Sequence, residues 1–295
     1  MQTGAVCDKM GKNKLDNWED MALKNLLDQH VHSDNSFDGH HSVVFLCETA
    51  VERGLRGLSF TDHVEMDFFR EKQFDRTAKQ SFFEVVKGRS AFRGRLIVCA
   101  GVELGQPTYN LPESEELLQQ YSYDIVIGSI HNLREKPDFW YIDFAPEKIS
   151  DEEIAAMLRE YFDEVLAMVE WGKFDTLAHL TYPLRYICGE HGRTVRMEDY
   201  QKQVDAILEA LVRQNISLEI NASGLRQKIK ETMPGEAILR RYKKLGGENI
   251  TIGSDAHYIE HLGSGLVEAM ELALRCGFTH MQLYQNREAV PIKLN

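Results

Sequence analysis

Asp28-Gln29-His30-Val31-His32-Ser33 follows an apolar run over residues 22–27 and sets two histidines two residues apart. On an extended strand, residues i and i+2 project to the same side, so His30 and His32 aim two imidazoles at one point. Imidazole is the commonest metal-ligating side chain. In a chain with eleven histidines, one His-x-His pair reads equally well as a polar strand end. Its meaning depends on whether other strand ends deliver matching groups.

Outward from this stretch, apolar runs of strand length alternate with helical patterns. The first strand is expected over residues 23–29 and a helix over 42–54, with Ser42 as N-cap and Gly54 as its stop. Further strands are expected at 55–61, 96–103, 124–131, 174–179, 216–221 and 250–254, and a last one at 278–284. Helices are expected at 78–92, 111–121, 150–172, 198–214, 235–245 and 262–275. Ser150 with Glu153 three residues on forms a capping box. Strands each followed by a helix imply an α/β fold with a parallel sheet. A closed β/α barrel is the leading architecture, and an open doubly wound sheet is the alternative. The first strand lacks the glycine-rich turn of a dinucleotide fold. Residues 1–22 read as an N-terminal extension and 23–295 as a single barrel domain.

Composition narrows the function classes. A 295-residue chain with a net charge of −12 lacks the bulk positive charge of a nucleic-acid-binding surface. Cys7, Cys47, Cys99, Cys188 and Cys276 are scattered, with no Cys-x-x-Cys pair. That argues against a disulfide framework or a thiolate zinc site and fits a reducing cytoplasm. No apolar run reaches membrane-spanning length and the first residues do not resemble a signal peptide. A soluble cytoplasmic protein is expected, with neither nucleic acid nor membrane as partner.

The chemistry collects at the strand ends. After His30 and His32 come Thr61-Asp62-His63, Gly101-Val102-Glu103, Gly128-Ser129-Ile130-His131, Leu177-Ala178-His179 and Gly253-Ser254-Asp255-Ala256-His257. Barrel enzymes build their active sites at the C-terminal ends of their strands. Any one of these histidines reads as a core or surface residue, but six strand ends sharing the pattern do not. The eight ligand-type residues exceed the needs of one tetrahedral zinc, and Asp38 from the loop after the first strand makes nine. Three divalent ions with three or four ligands each would use all nine if Glu103 bridges two of them. Imidazole with carboxylate suits zinc, iron or manganese. Glu103, Asp255 and His257 are the catalytic candidates within the set. Clustered divalent ions activate water and clamp the oxygens of a transferring phosphoryl group, which points to phosphate-ester hydrolysis. Arg185 and Arg226, just past the fifth and sixth strands, are candidate phosphate ligands, although each also reads as a solvated surface arginine.

As a set, these segments resemble the polymerase and histidinol phosphatase (PHP) family, and most closely its monofunctional phosphatase branch. The match spans residues 30–257 and extends to Glu219-Ile220-Asn221-Ala222-Ser223-Gly224-Leu225-Arg226 and Leu283-Tyr284-Gln285-Asn286-Arg287. The resemblance implies a distorted (β/α)7 TIM-like barrel with a trinuclear metal site. The first metal would take His30, His32, Glu103 and Asp255; the second, Asp38, His63 and His257; the third, Glu103, His131 and His179. Family members vary at the position of Asp38, where His40 and His41 stand close by as rivals, and the N-terminal extension departs from the family. The implied reaction is hydrolysis of L-histidinol phosphate in histidine biosynthesis. Arg185 or Arg226 would hold the phosphoryl oxygens, and Glu219 would receive the substrate's ammonium or imidazole or stand as an ordinary strand-end carboxylate. Three other readings stand beside it. One is a phosphoesterase acting on another small phosphate ester or a nucleotide. Another is an amidohydrolase-type C–N hydrolase, whose barrel also opens with His-x-His. The last is a non-enzymatic barrel kept for structure or partner binding.

Overall fold

The computed structural model describes residues 25–294; the extension expected over residues 1–22 lies outside them. Seven parallel strands form one continuous path. These are β1 (Leu27–Val31), β2 (Gly57–Phe60), β4 (Ile97–Gly105), β5 (Ile125–Ser129), β6 (Thr176–Leu177), β7 (Ser217–Asn221) and β8 (Ile250–Gly253). A short strand, β3 (His63–Glu65), continues the line of β2 and pairs in parallel with the second half of β4. Helices α1 (Val43–Glu52), α2 (Phe74–Ala91), α3 (Leu111–Gln120), α4 (Asp151–Trp171), α5 (Gln201–Gln214), α6 (Glu236–Lys244) and α7 (Leu266–Arg275) alternate with the strands. The α/β class and the distorted (β/α)7 barrel are therefore present, and the open doubly wound alternative is not.

Local chemistry explains the helix ends. Ser42 Oγ accepts from Phe45 N at the start of α1. Ser150 and Glu153 exchange both capping-box hydrogen bonds at the start of α4, and Gly172 ends that helix with φ +69°. Strand ends are less local. β1 begins later than its apolar run and contains His30. β6 keeps only two residues of the six expected, because the Asp175 carboxylate accepts from Val126 N at 2.7 Å and Glu219 takes His179 N at 2.9 Å. Those side chains replace ladder bonds at both ends of the strand. The expected last strand is half of a hairpin, β9 (His280–Gln285) with β10 (Glu288–Lys293). Positive φ at Asn286 and Arg287 makes the tight turn between them.

The core follows the period of two. Val126 joins the main apolar core, whereas its neighbours Ile125 and Ile127 turn the other way and cluster with Ala178 and Tyr284. Tyr284 comes from the closing hairpin; its hydroxyl meets Ser217 Oγ at 2.8 Å and Asp175 O at 3.0 Å. The hairpin thereby seals the N-terminal end of the barrel, and the opposite end is left for the site. No helix among the described residues is long and apolar enough to cross a membrane.

The barrel closes between β1 and β8 without a regular ladder. One bridge pairs Val31 with Ala256, and Asp255 N donates to His30 O at 2.8 Å. Asp28, fully buried in β1, supplies the rest of the seam. Its Oδ1 accepts from Ser254 N at 2.8 Å, and its Oδ2 accepts from Ser254 Oγ at 2.5 Å and Gly263 N at 2.9 Å. A buried donor left without an acceptor costs about 1–3 kcal/mol. Asp28→Ala strands two backbone N–H groups and a hydroxyl, so an unfolding free energy lower by roughly 3 kcal/mol is expected in urea titration. Unchanged stability would mean that this carboxylate does not close the barrel.

Candidate active site

The nine residues singled out in the sequence converge at the C-terminal mouth of the barrel. Glu103, fully buried on β4, stands at their centre. Its Oε1 lies 2.9 Å from His179 Nε2 and 3.1 Å from His131 Nε2. Its Oε2 lies 3.1 Å from His30 Nε2, 3.2 Å from His63 Nδ1 and 3.4 Å from His32 Nε2. His32 Nε2 also approaches Asp255 Oδ1 at 3.4 Å. A second focus sits beside the first, where His257 Nε2 is 3.4 Å from His63 Nε2 and 3.2 Å from Asp38 Oδ2. The rivals of Asp38 lie elsewhere: the His40 ring stacks on Tyr258 and the His41 ring meets Phe45.

Such crowding demands cations. Imidazole nitrogens facing one another, or facing carboxylates, at about 3 Å are held only by protons or metal ions between them. Burial pushes the Glu103 carboxyl upward, but the imidazoles of His30, His63 and His131 overcome it and hold the group well below the carboxylate range. Burial drives the His30 imidazole toward neutrality, yet Glu219, Glu103 and Asp255 hold its pKa well above the ordinary value. His32 goes the other way, down to about 3, through burial and the neighbouring His257 and His63. His32 Nε2, His63 Nδ1 and Asp38 Oδ1 are buried without a hydrogen-bond partner. Unpaired donor atoms of nitrogen and oxygen around shared points fit hard-to-borderline divalent ions. Four overlapping triads have ligand atoms close enough for one ion: His30–His32–Asp255, His30–Glu103–His179, His63–Glu103–His131 and His32–His63–His257.

Packing behind the cluster orients it. Gly253 makes room for His30 and Glu219 to meet, since a Cβ there would fall 2.3 Å from His30 Cβ and 2.9 Å from Glu219 Oε1. Asp62 supports the loop after β1: it accepts from Ser33 N at 2.6 Å and Ser81 Oγ at 2.5 Å, and Ser36 Oγ reaches it at 3.1 Å. Ser36 Oγ in turn meets His32 Nδ1 at 3.1 Å and accepts from His63 N at 3.0 Å. Asp255 holds a left-handed backbone, φ +54°, a strained conformation of the kind that collects at functional sites.

Glu65 is a member the sequence reading missed. Its Oε1 lies 3.1 Å from His63 Nδ1 and 3.0 Å from His131 Nδ1. Burial raises this carboxyl, but His131 and His63 bring it down to about 2. The signal was available, because Glu65 follows His63 by two residues on one strand face.

Above the cluster opens a cavity of about 1040 Å³ whose wall includes Arg185 and Arg226. Arg226 donates through Nη1 to Ser254 O at 2.6 Å and through Nη2 to Asp255 O at 2.7 Å, so it braces the loop that carries Asp255. Arg185 lies against the Tyr186 ring and pairs with no carboxylate among the described residues. Glu219 is not on the cavity wall. It is 1% exposed, with Oε1 2.7 Å from His30 Nδ1 and Oε2 accepting from His179 N and Asn221 Nδ2. The sequence reading left Glu219 either to a substrate ammonium or imidazole or as an ordinary strand-end carboxylate; the structure buries it behind His30, where it orients the ring.

A barrel with a histidine–carboxylate cluster and a paired cationic wall at its open end has the form of a metal-assisted hydrolase. The chain belongs to the PHP domain family, whose model matches residues 28–223. A probable histidinol-phosphatase of Clostridium acetobutylicum is 29% identical over 85% of this chain and 94% of its own length. One of Thermotoga maritima is 28% identical over 91% of this chain and all of its own. The crystal structure of histidinol phosphate phosphatase from Lactococcus lactis, complexed with zinc, L-histidinol and phosphate, superposes with a TM-score of 0.74. It is 22% identical, and the match covers 90% of this chain and 99% of that one.

Carboxylates behind metal-ligating histidines typically carry about 10–100-fold in metal affinity. Glu219→Gln turns an amide donor toward either His30 or the two donors of His179 and Asn221. A loss of that size in zinc affinity is expected by competition with a chromogenic chelator. Intact metal affinity with a raised KM for an ammonium-bearing substrate would return Glu219 to substrate binding.

Proposed function

We propose that this protein is a metal-dependent phosphomonoesterase that hydrolyses L-histidinol phosphate to L-histidinol and phosphate. One observation carries the reading: eight histidine and carboxylate side chains gather with Glu103 at the barrel mouth, beneath a cavity lined by two arginines. Relatives carrying the same activity in their names align along nearly the whole chain. The reaction belongs late in histidine biosynthesis, in the cytoplasm, where the free Cys47, Cys99, Cys188 and Cys276 suit a reducing compartment.

The residues fit three divalent ions of the zinc, iron or manganese type. His30, His32, Glu103 and Asp255 would hold one, Asp38, His63 and His257 the next, and Glu103, His131 and His179 the third. When bound, the ions supply an activated water and positive charge on the phosphoryl oxygens. The chain's own contribution is position. Arg185, free of carboxylate partners among the described residues, grips the phosphoryl group as a planar fork. Arg226, tied to the Ser254 and Asp255 carbonyls, adds charge and keeps Asp255 in place. Glu219 and Glu65 hold His30 and His131 in the rotations that face Glu103. Among the described residues the centre of the cluster is a carboxylate rather than a lysine, which favours phosphoryl over C–N hydrolysis.

Released phosphate should be measured with L-histidinol phosphate beside other monoesters, nucleotides and one phosphodiester. Strong preference for histidinol phosphate is expected, lost on chelation and restored by zinc or manganese. His131→Ala should lower kcat by about 100-fold or more, the scale of losing electrostatic stabilisation, together with metal content by elemental analysis. Equal weak turnover across the panel would sink the histidinol assignment and leave the phosphoesterase.

A further inference from the structure

The cavity carries a feature that metal binding and phosphate capture leave unused. After β5 the chain runs Pro137-Asp138-Phe139-Trp140-Tyr141 along its rim. Phe139 is fully buried, packed edge-on to Tyr161 and near Phe144 and Tyr182. Its N–H donates to His131 O at 3.1 Å, and Asn132 and Asp138 form an antiparallel bridge. Tyr141 N closes a turn onto Asp138 O at 2.9 Å. This anchored turn holds Trp140 and Tyr141 out at 59% and 76% exposure, with their rings nearly parallel. Both line the cavity, and Phe37 and Phe68 line it from other loops. A rigid turn that keeps large aromatic rings in water beside a charged cavity has the form of a binding surface.

Asp138 gives that surface a sign. Its Oδ1 accepts from Trp140 N at 2.7 Å and Tyr182 Oη at 3.0 Å. Among the described residues Oδ2 takes no hydrogen bond and the carboxylate pairs with no lysine or arginine. Asp67, also on the wall, has one oxygen held by Asn132 Nδ2 at 3.0 Å and the other buried without a partner. Burial raises both carboxyls despite the hydrogen bonds they accept. A cationic ligand beside them would favour their ionised forms.

We infer that the turn over residues 138–141 is the specificity element for the leaving group, with Asp138 taking its cationic nitrogen and Trp140 and Tyr141 covering its ring. The inference rests on the phosphomonoesterase reading and adds which part of the chain selects a cationic, aromatic alcohol. Phosphate is held at the cluster and Arg185 side, and the amine, two carbons from the ester oxygen, turns toward Asp138. Cation and ring then share one aromatic wall.

The test compares kcat/KM for L-histidinol phosphate and for glycerol phosphate, a neutral leaving group, in the metal-loaded wild type, Asp138→Asn and Trp140→Ala. Each variant should cut the preference for the cationic ester at least tenfold, mainly through KM, while zinc content by elemental analysis stays that of the wild type. Calorimetric binding of L-histidinol to the loaded protein should weaken in parallel. Trp140 is exposed, so its truncation keeps the fold even if Asp138→Asn does not. A preserved preference in Trp140→Ala together with unweakened L-histidinol binding overturns the inference and leaves the phosphatase reading standing. A wild type with no preference between the two esters overturns the histidinol-phosphate assignment and leaves a phosphomonoesterase.

Discussion

A carboxylate with no exposure at the centre of a barrel mouth is the constraint to which the rest of this molecule answers. Glu103 stays ionised because the imidazoles of His30, His63 and His131 outweigh its burial, and five histidines from four other strands or strand ends face its two oxygens. Burying a lone charge is prohibitively costly, whereas a buried charge with surrounding donors or cations is stable. Closing strands from both ends of the chain into one barrel brings that compensation together, and the hairpin that seals the opposite end leaves a single mouth for it.

The barrel's irregularities sit where the cluster needs them. β1 and β8 forgo a regular ladder, and Asp28 and Arg226 hold the Ser254–Asp255 backbone instead. β6 shortens so that Glu219 can take the backbone of His179. β3 exists as a separate strand so that His63 and Glu65 approach Glu103 in register. The first two departures replace backbone pairing with side chains that hold the backbone of Asp255 and His179. Regularity is given up at the mouth and kept in the body of the barrel.

Much of this was legible in order along the chain. The apolar runs with a helix after each, the capping box of Ser150 and Glu153, and the repeated strand-end histidines depend on neighbours within a few residues. Glu65 was also within reach, being two residues from His63 on one face. Glu219 was misjudged for a different reason. A carboxylate at a strand end reads the same whether it faces solvent or the back of a ring from another strand, and only the approach of β7 to β1 across Gly253 separates the two. Arg226 likewise looks like a free phosphate ligand until its partners, 28 and 29 residues away, are known.

The sequence by itself determined the alternation of strands and helices, the α/β class, and which side chains could serve as ligands, because periodicity, caps and residue chemistry are local. Tertiary structure alone decided how those ligands share Glu103, which carboxylates stand behind the histidines, and which faces of the mouth are left for a substrate. The reason is distance. A charge's environment is set by whatever lies within a few ångströms, and in a closed barrel those neighbours come from strands up to more than two hundred residues apart, as Asp28 and Ser254 do.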